Sequence, residues 1–183
     1  MSDCIARIEA LFIAQGQKIY AGEGVSQLGH ALQSGQLAMG SGASESLVVA
    51  AFLHDLGHML NDQGETPTLK GMNDCHEIWA ADYLAEHFPL AVSEPVRLHV
   101  AAKRALCAIQ PDYIEKLSED SVRSLALQGG PMTQHELERF FQSEFAEDSI
   151  LVRAWDDQAK KPKTATPNLR HFLDACESVL RRS

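Results

Sequence analysis

Apolar residues recur every three or four positions along nearly the whole chain, the spacing of helices that each bury one face. Ile5, Ile8, Leu11 and Phe12 set this phase over residues 3–15, and Val25, Leu28, Leu32, Leu37 and Met39 set it again over 25–39. Gly40 and Gly42 break the second pattern, and Ser44 with Glu45 offers a start for a third helix. That helix carries Leu47, Val48, Ala51 and Phe52 and runs on through AFLHDLGHML, residues 51–60. The polar stretch NDQGETPTLKGMN follows, punctuated by Gly64, Pro67 and Gly71. Asp74 is placed to cap a helix that ends at His87, and Ser93, Glu94 and Pro95 open another through about Ile109. Pro111 opens a short segment. Ser118 starts a helix that Gly129, Gly130 and Pro131 end, and Thr133 with Glu136 has the spacing of a capping box. Residues 147–160 continue helical, a basic link (Lys160, Lys161, Pro162, Lys163) follows, and the last helix is expected over about 168–182. Nothing alternates with a period of two, so the expected fold is an all-α helical bundle.

Composition narrows the class. The chain has 183 residues, 45% of them hydrophobic, which suits one folded domain with a sizeable core. No run approaches the roughly 18–20 apolar residues of a membrane span. Asp3 and Glu9 interrupt the apolar N-terminus, which reads as an amphipathic helix and not as a signal peptide. Cys4, Cys75, Cys107 and Cys176 are far apart with no CxxC pair, as expected of reduced thiols in a cytoplasmic protein. A formal net charge of -9 argues against a nucleic-acid binder. It leaves room for a small anion, because a few cations in one pocket can hold it whatever the total charge.

The chemistry lies in histidines and aspartates set into apolar helices. His30 occupies one helix, His54 and Asp55 a second, His76 the start of a third, His99 a fourth and Asp156 a fifth. Each histidine alone is more often a hydrogen-bonded core residue than a ligand. The His54–Asp55 pair changes the balance, since an aspartate buried without a partner costs several kcal/mol. A bundle can aim all six side chains at one point. Four imidazoles suit iron, zinc, manganese or copper, and the carboxylates add oxygens that favour iron or manganese. Neighbouring helix positions point about 100° apart, so Asp55 can reach sideways and bridge two ions. One ion would take His30, His54, Asp55 and Asp156, and the other Asp55, His76 and His99. His87, His135 and His171 sit among charged residues and are expected to be solvated, with Asp157 in a supporting role.

The order His30, His54-Asp55, Asp156 is similar to that of the HD-domain metal-dependent phosphohydrolase superfamily, and His76 and His99 resemble its dinuclear branch. More narrowly, YAGEGVSQLGHALQSG, LHDLGH, HVAAKR, SLALQGG and RAWDDQAK resemble the HD-domain mixed-valent diiron oxygenases that cleave carbon–phosphorus bonds, over about residues 20–160. The resemblance implies a single HD domain over 1–183 with its metal-binding core at about 20–160. It implies two iron ions in a mixed Fe(II)/Fe(III) state, with O2 as co-substrate, held by His30, His54, Asp55, His76, His99 and Asp156. Tyr20 and Glu23 match a mobile pair covering the iron site, and His58 a pocket histidine near the substrate. Lys103, Ser121, Ser124 and Arg153 match phosphonate-binding groups. The implied substrate is a 1-hydroxy-2-(amino or trimethylamino)ethylphosphonate, supplied by an α-hydroxylase and converted to phosphate and glycine or glycine betaine.

Residue spacing agrees with these roles. Lys103 lies one turn after His99, and Arg153 precedes Asp156 by three, so each cation shares a helix face with a ligand. Ser121 and Ser124 lie near a helix start, where an anion gains from free amides and the helix dipole. Trp79 and Tyr83, in phase with His76, could face a trimethylammonium but read more readily as core aromatics. Two alternatives use the same ligands: a metal-dependent phosphohydrolase acting on a small phosphate ester or nucleotide, and a non-enzymatic metal-binding sensor. A redox gate at Tyr20 and Glu23 would have no purpose in a hydrolase.

Overall fold

Short polar side chains set where the helices begin. In the computed structural model, which describes residues 2–19, 24–61, 63–64 and 67–181, Ser2 caps α1 (Asp3–Gln15) and Ser26 caps α2 (Gln27–Gly40). Ser44 caps α3 (Glu45–Leu53) by accepting the Leu47 amide at 3.3 Å. Ser118 caps α7 (Glu119–Leu127), and Thr133 and Glu136 form the expected capping box at α8 (Gln134–Phe140). Asn168 caps α10 (Leu169–Ser178). The remaining helices are α4 (Gly57–Leu60), α5 (His76–His87), α6 (Leu90–Ile109) and α9 (Ala146–Gln158), with 3-10 segments at Pro67–Lys70 and Pro111–Lys116. Among the described residues the one extended pairing is an isolated bridge between Ile19 and Ser26, so the all-α expectation stands. No described helix is long and apolar enough to cross a membrane.

The bundle is built around α3. Every residue from Leu47 to Leu53 is buried, the pattern of a helix with neighbours all round. It packs against α2, α6, α9 and α10, while α6 also packs along α5 and α9. Phe12, Phe52 and Phe172 stack in series, with centroids 5.1 and 5.0 Å apart, and tie α1, α3 and α10 together. Gly35 admits this stack: a Cβ there would lie 2.5 Å from the Phe172 ring.

Several helix boundaries differ from those the sequence predicts. Helix α6 begins at Leu90, ahead of the expected start, and carries Pro95 inside it. The proline comes just after the first turn, so the helix forgoes only one internal hydrogen bond. Helix α10 stops at Ser178, short of the expected 182. Asp74 does not cap α5: the cap position belongs to Cys75, held at φ 50°, with no side-chain cap bond. Trp79 is half exposed and so is not the core aromatic expected, whereas Tyr83 packs against the core as expected and points its hydroxyl to Cys4.

Candidate metal centre

His54 and Asp55 stand where α3 has already ended. The backbone tightens into i→i−3 bonds from Leu56 to Leu53 and from His58 to Asp55 before α4 resumes. The tightening frees both side chains to turn inward. Gly57 then permits a close crossing, because a Cβ there would lie 1.9 Å from the His76 carbonyl oxygen. That contact brings the first residue of α5 against the His54–Asp55 turn.

Four imidazoles meet in two pairs. His30 Nε2 lies 3.2 Å from His54 Nε2, and His76 Nε2 lies 3.1 Å from His99 Nε2. The Asp55 carboxylate stands between the pairs and divides its oxygens. Oδ2 is 3.4 and 3.3 Å from His30 and His54, while Oδ1 is 3.2 and 3.7 Å from His76 and His99. Asp156 Oδ1 lies 3.3 Å from His30 Nε2. The donor atoms of His30, His54 and Asp156 lie within 4.8 Å of one another, as do those of Asp55, His76 and His99. The structure thus brings together all six residues singled out in the sequence, with Asp55 grouped with His76 and His99 and reaching the other group through Oδ2.

The opposite ring nitrogens explain what the cluster requires. His30 Nδ1 faces the Ala159 carbonyl at 2.9 Å, His54 Nδ1 the Ala51 carbonyl at 2.8 Å, His99 Nδ1 the Val96 carbonyl at 2.7 Å, and His76 Nδ1 faces Asp74 at 2.9 Å. Each Nδ1 must carry a proton to donate, so each neutral ring presents an Nε2 lone pair. Two lone pairs about 3 Å apart repel unless a cation joins them. Asp55 Oδ2 and Asp156 Oδ1 are buried and have no hydrogen-bond partner, which is costly unless a positive charge faces them. Imidazole and carboxylate donors converging on these points fit divalent or trivalent ions. Titration shifts express the same demand. Burial pushes His30 down, but the Asp156 and Asp55 carboxylates beside it outweigh burial and lift His30 to about 9. Burial likewise opposes His76, whose carboxylate neighbours Asp74 and Asp55 raise it well above the ordinary value. His99 is driven well below, by burial and then by the neighbouring His76 and His54. Both carboxyls, Asp55 and Asp156, are held well below the usual range against their burial, chiefly by His54 and by Arg153 respectively.

A cavity of about 70 Å³ opens on the cluster, lined by Asp55, His58, Asp74, His76, His99, Lys103, Ser121, Ser124, Arg153 and Asp156, among others. All four expected anion-binding residues therefore share the cavity with Asp55, His76, His99 and Asp156. Lys103 is 2% exposed and donates to Ser124 Oγ at 2.7 Å. Burial, with the charge of Arg153 second, lowers its ammonium to about 7. Ser118 already accepts the Ser121 amide, so that amide of the helix start is taken. Arg153 gives Nη1 to Asp156 Oδ2 at 2.7 Å and also grips Asp157. Tyr20 and Glu23 lie outside the described residues. His87 is partly exposed and pairs with Glu86, and His135 and His171 are exposed, as expected.

One residue here escaped the sequence reading. Asp74 takes His76 Nδ1 at 2.9 Å with one oxygen and His58 Nδ1 at 2.8 Å with the other. It holds the two rings stacked, 4.1 Å between centroids. The left-handed conformation of Cys75, rare for a side chain without a short polar group, sets Asp74 and His76 on the same side. Its only trace in the sequence is an aspartate two residues before a clustered histidine.

The HD domain family profile matches residues 27–139, more than half of the chain. The chain belongs to the HD-domain family. The matched segment of this HD-domain protein holds five of the six clustered residues and ends before α9, which carries Asp156. Relatives extend the likeness over nearly all of it. The hydroxymethylphosphonate dioxygenase of Gimesia maris is 43% identical over 169 residues, 92% of this chain and 84% of the relative. The [1-hydroxy-2-(trimethylamino)ethyl]phosphonate dioxygenase (glycine-betaine-forming) of Leisingera caerulea is 38% identical over 173 residues, 94% of this chain and 88% of the relative.

Proposed function

We propose that this HD-domain protein is a metal-dependent dioxygenase that breaks the carbon–phosphorus bond of a small 1-hydroxyalkylphosphonate. The observation that carries the reading is one cavity in which a two-set cluster of imidazoles and carboxylates adjoins buried Lys103 and Arg153. The names of two relatives sharing 43% and 38% identity supply the reaction class. The proposed ions are two irons in a mixed-valent pair, one on His30, His54, Asp55 and Asp156, the other on Asp55, His76 and His99. Bound there, the ions would supply the redox chemistry of O2 and a Lewis-acid seat for substrate oxygens.

The protein's own residues bind and orient. Lys103 and Arg153 neutralise the phosphonate, with the Ser121 and Ser124 hydroxyls beside them. The carbon bearing phosphorus and hydroxyl is thereby held against the metal cluster, a positioning effect. His58, kept in place by Asp74, presents Nε2 toward Asp55, 3.8 Å from Oδ1, and is proposed to stand near the bound substrate. Tyr20 and Glu23 are proposed to cover this site before substrate arrives. The atoms balance without an outside reductant: one hydroxyalkylphosphonate and one O2 give one carboxylic acid and one phosphate.

An oxygen electrode combined with a phosphate assay tests the reading. Iron-loaded protein would be given hydroxymethylphosphonate, 2-amino-1-hydroxyethylphosphonate and its trimethylated form in turn. Matched consumption of O2 and release of phosphate with at least one of them is expected. Phosphate release without O2 uptake would make the protein a hydrolase, and neither change with any of the three would refute the assignment.

A further inference from the structure

We infer that Tyr113 and Asp157 are positioning residues that hold Arg153 against both the substrate phosphonate and the ligand carboxylate Asp156. The inference rests on the phosphonate reading above. Arg153 is 4% exposed, so its guanidinium finds its partners inside the protein. The edge made by Nε and Nη2 is taken by Asp157, with Nε 3.3 Å from Oδ2 and Nη2 on Oδ1. Nε also donates to the Tyr113 hydroxyl at 3.2 Å, and that hydroxyl donates to Asp157 Oδ2. The tyrosine, the carboxylate and the guanidinium thus close a ring of hydrogen bonds.

The ring constrains two things at once. With its Nε edge fixed on Asp157, Arg153 turns Nη1 onto Asp156 Oδ2 at 2.7 Å. That bond occupies one oxygen of Asp156 and leaves Oδ1, the atom without a hydrogen-bond partner, facing His30. Arg153 also lines the cavity shared with Lys103, Ser121 and Ser124. Its placement therefore sets the separation between the anion-binding groups and the metal cluster. A guanidinium free to rotate about its long side chain would hold neither register. Asp157 follows Arg153 by one helical turn and can act from within α9. Tyr113 acts from outside, from the 3-10 segment Pro111–Lys116 that leads from α6 toward α7. Neither residue lines the cavity.

The test compares Tyr113→Phe, Asp157→Asn and a control, Tyr83→Phe, whose hydroxyl bonds to Cys4 away from the site. Calorimetry with methylphosphonate, which lacks the reacting hydroxyl, reads anion binding without turnover, and metal analysis reads the cluster. Tyr113→Phe is expected to weaken methylphosphonate binding about tenfold and to raise KM for the hydroxyalkylphosphonate more than it lowers kcat, with metal content and melting temperature near wild type. Asp157→Asn should weaken binding further, and Tyr83→Phe should change nothing. Unchanged methylphosphonate affinity in both Tyr113→Phe and Asp157→Asn would overturn the inference. So would losses of metal and of affinity in equal measure, because they would mark a purely structural role. Failure of the wild-type protein to bind methylphosphonate or to turn over any hydroxyalkylphosphonate would bring down the phosphonate reading itself. A turnover-competent wild type with indifferent variants would bring down this inference alone.

Discussion

Single residues carry opposite obligations at this site. Lys103 is buried with an ammonium lowered to about 7, so it is charged below that pH and neutral above it. Because its folded pKa lies below its unfolded one, stability rises as pH climbs from about 7 toward the ordinary lysine value. Binding of a phosphonate has the reverse sign. The pH profile of kcat/KM, which reports the free enzyme, should fall above about pH 7, and Lys103→Arg should move that limb upward, since a guanidinium stays charged. Lys103→Met should raise stability by about 1–4 kcal/mol in denaturant melts while abolishing phosphonate binding. A less stable Lys103→Met protein would mean that the lysine serves the fold. Asp74 has a different task, orienting His58 and His76 together. Asp74→Asn should weaken metal affinity about 10- to 100-fold in a metal titration, with the loss confined to the ion that uses His76. Two ions bound at wild-type affinity would contradict that. The six clustered residues were legible in the sequence because histidine and aspartate are out of place in an apolar helical phase. Asp74 was misread as a cap, since its role depends on the left-handed backbone of Cys75. Tyr113 was passed over, because forty residues separate it from Arg153.

At the scale of elements, two glycines decide which helices can approach. Gly57 allows α4 to meet the start of α5, with the His76 carbonyl 1.9 Å from where a Cβ would stand. Gly57→Ala should cost at least about 1–3 kcal/mol and displace His76, so that melting temperature and metal content fall together. Gly35 meets the Phe172 ring of α10, remote from the cluster. Gly35→Ala should cost a comparable amount in stability yet leave metal content intact in the folded protein. Equal metal loss in both variants would show that the cluster depends on general packing and not on the α4–α5 crossing. Helix starts were readable where a serine or threonine caps, as at Ser44, Ser118 and Thr133. They were misread where none does. Pro89 precedes α6 with no side-chain cap bond, and the eye falls instead on Ser93, Glu94 and Pro95. The end of α3 was hidden for a related reason: Leu53 to Met59 keep their apolar periodicity across a tightened turn.

At the scale of the whole molecule, α2, α5, α6 and α9, with the turn that follows α3, each deliver part of one centre. The surrounding hydrophobic core holds the α3 turn and α9 at one depth, so that Asp55 and Asp156 stay buried. An overall charge of -9 does not prevent the binding of an anion, because the cations that face the cavity are local. The proposed centre holds two ions that share Asp55. Anomalous diffraction at the iron edge, from crystals of protein purified in air, tests it most directly. Two iron peaks are expected on either side of the Asp55 carboxylate, one within bonding distance of His30, His54 and Asp156 and the other of His76 and His99. A single peak, peaks from zinc only, or iron bound away from these six side chains would contradict it.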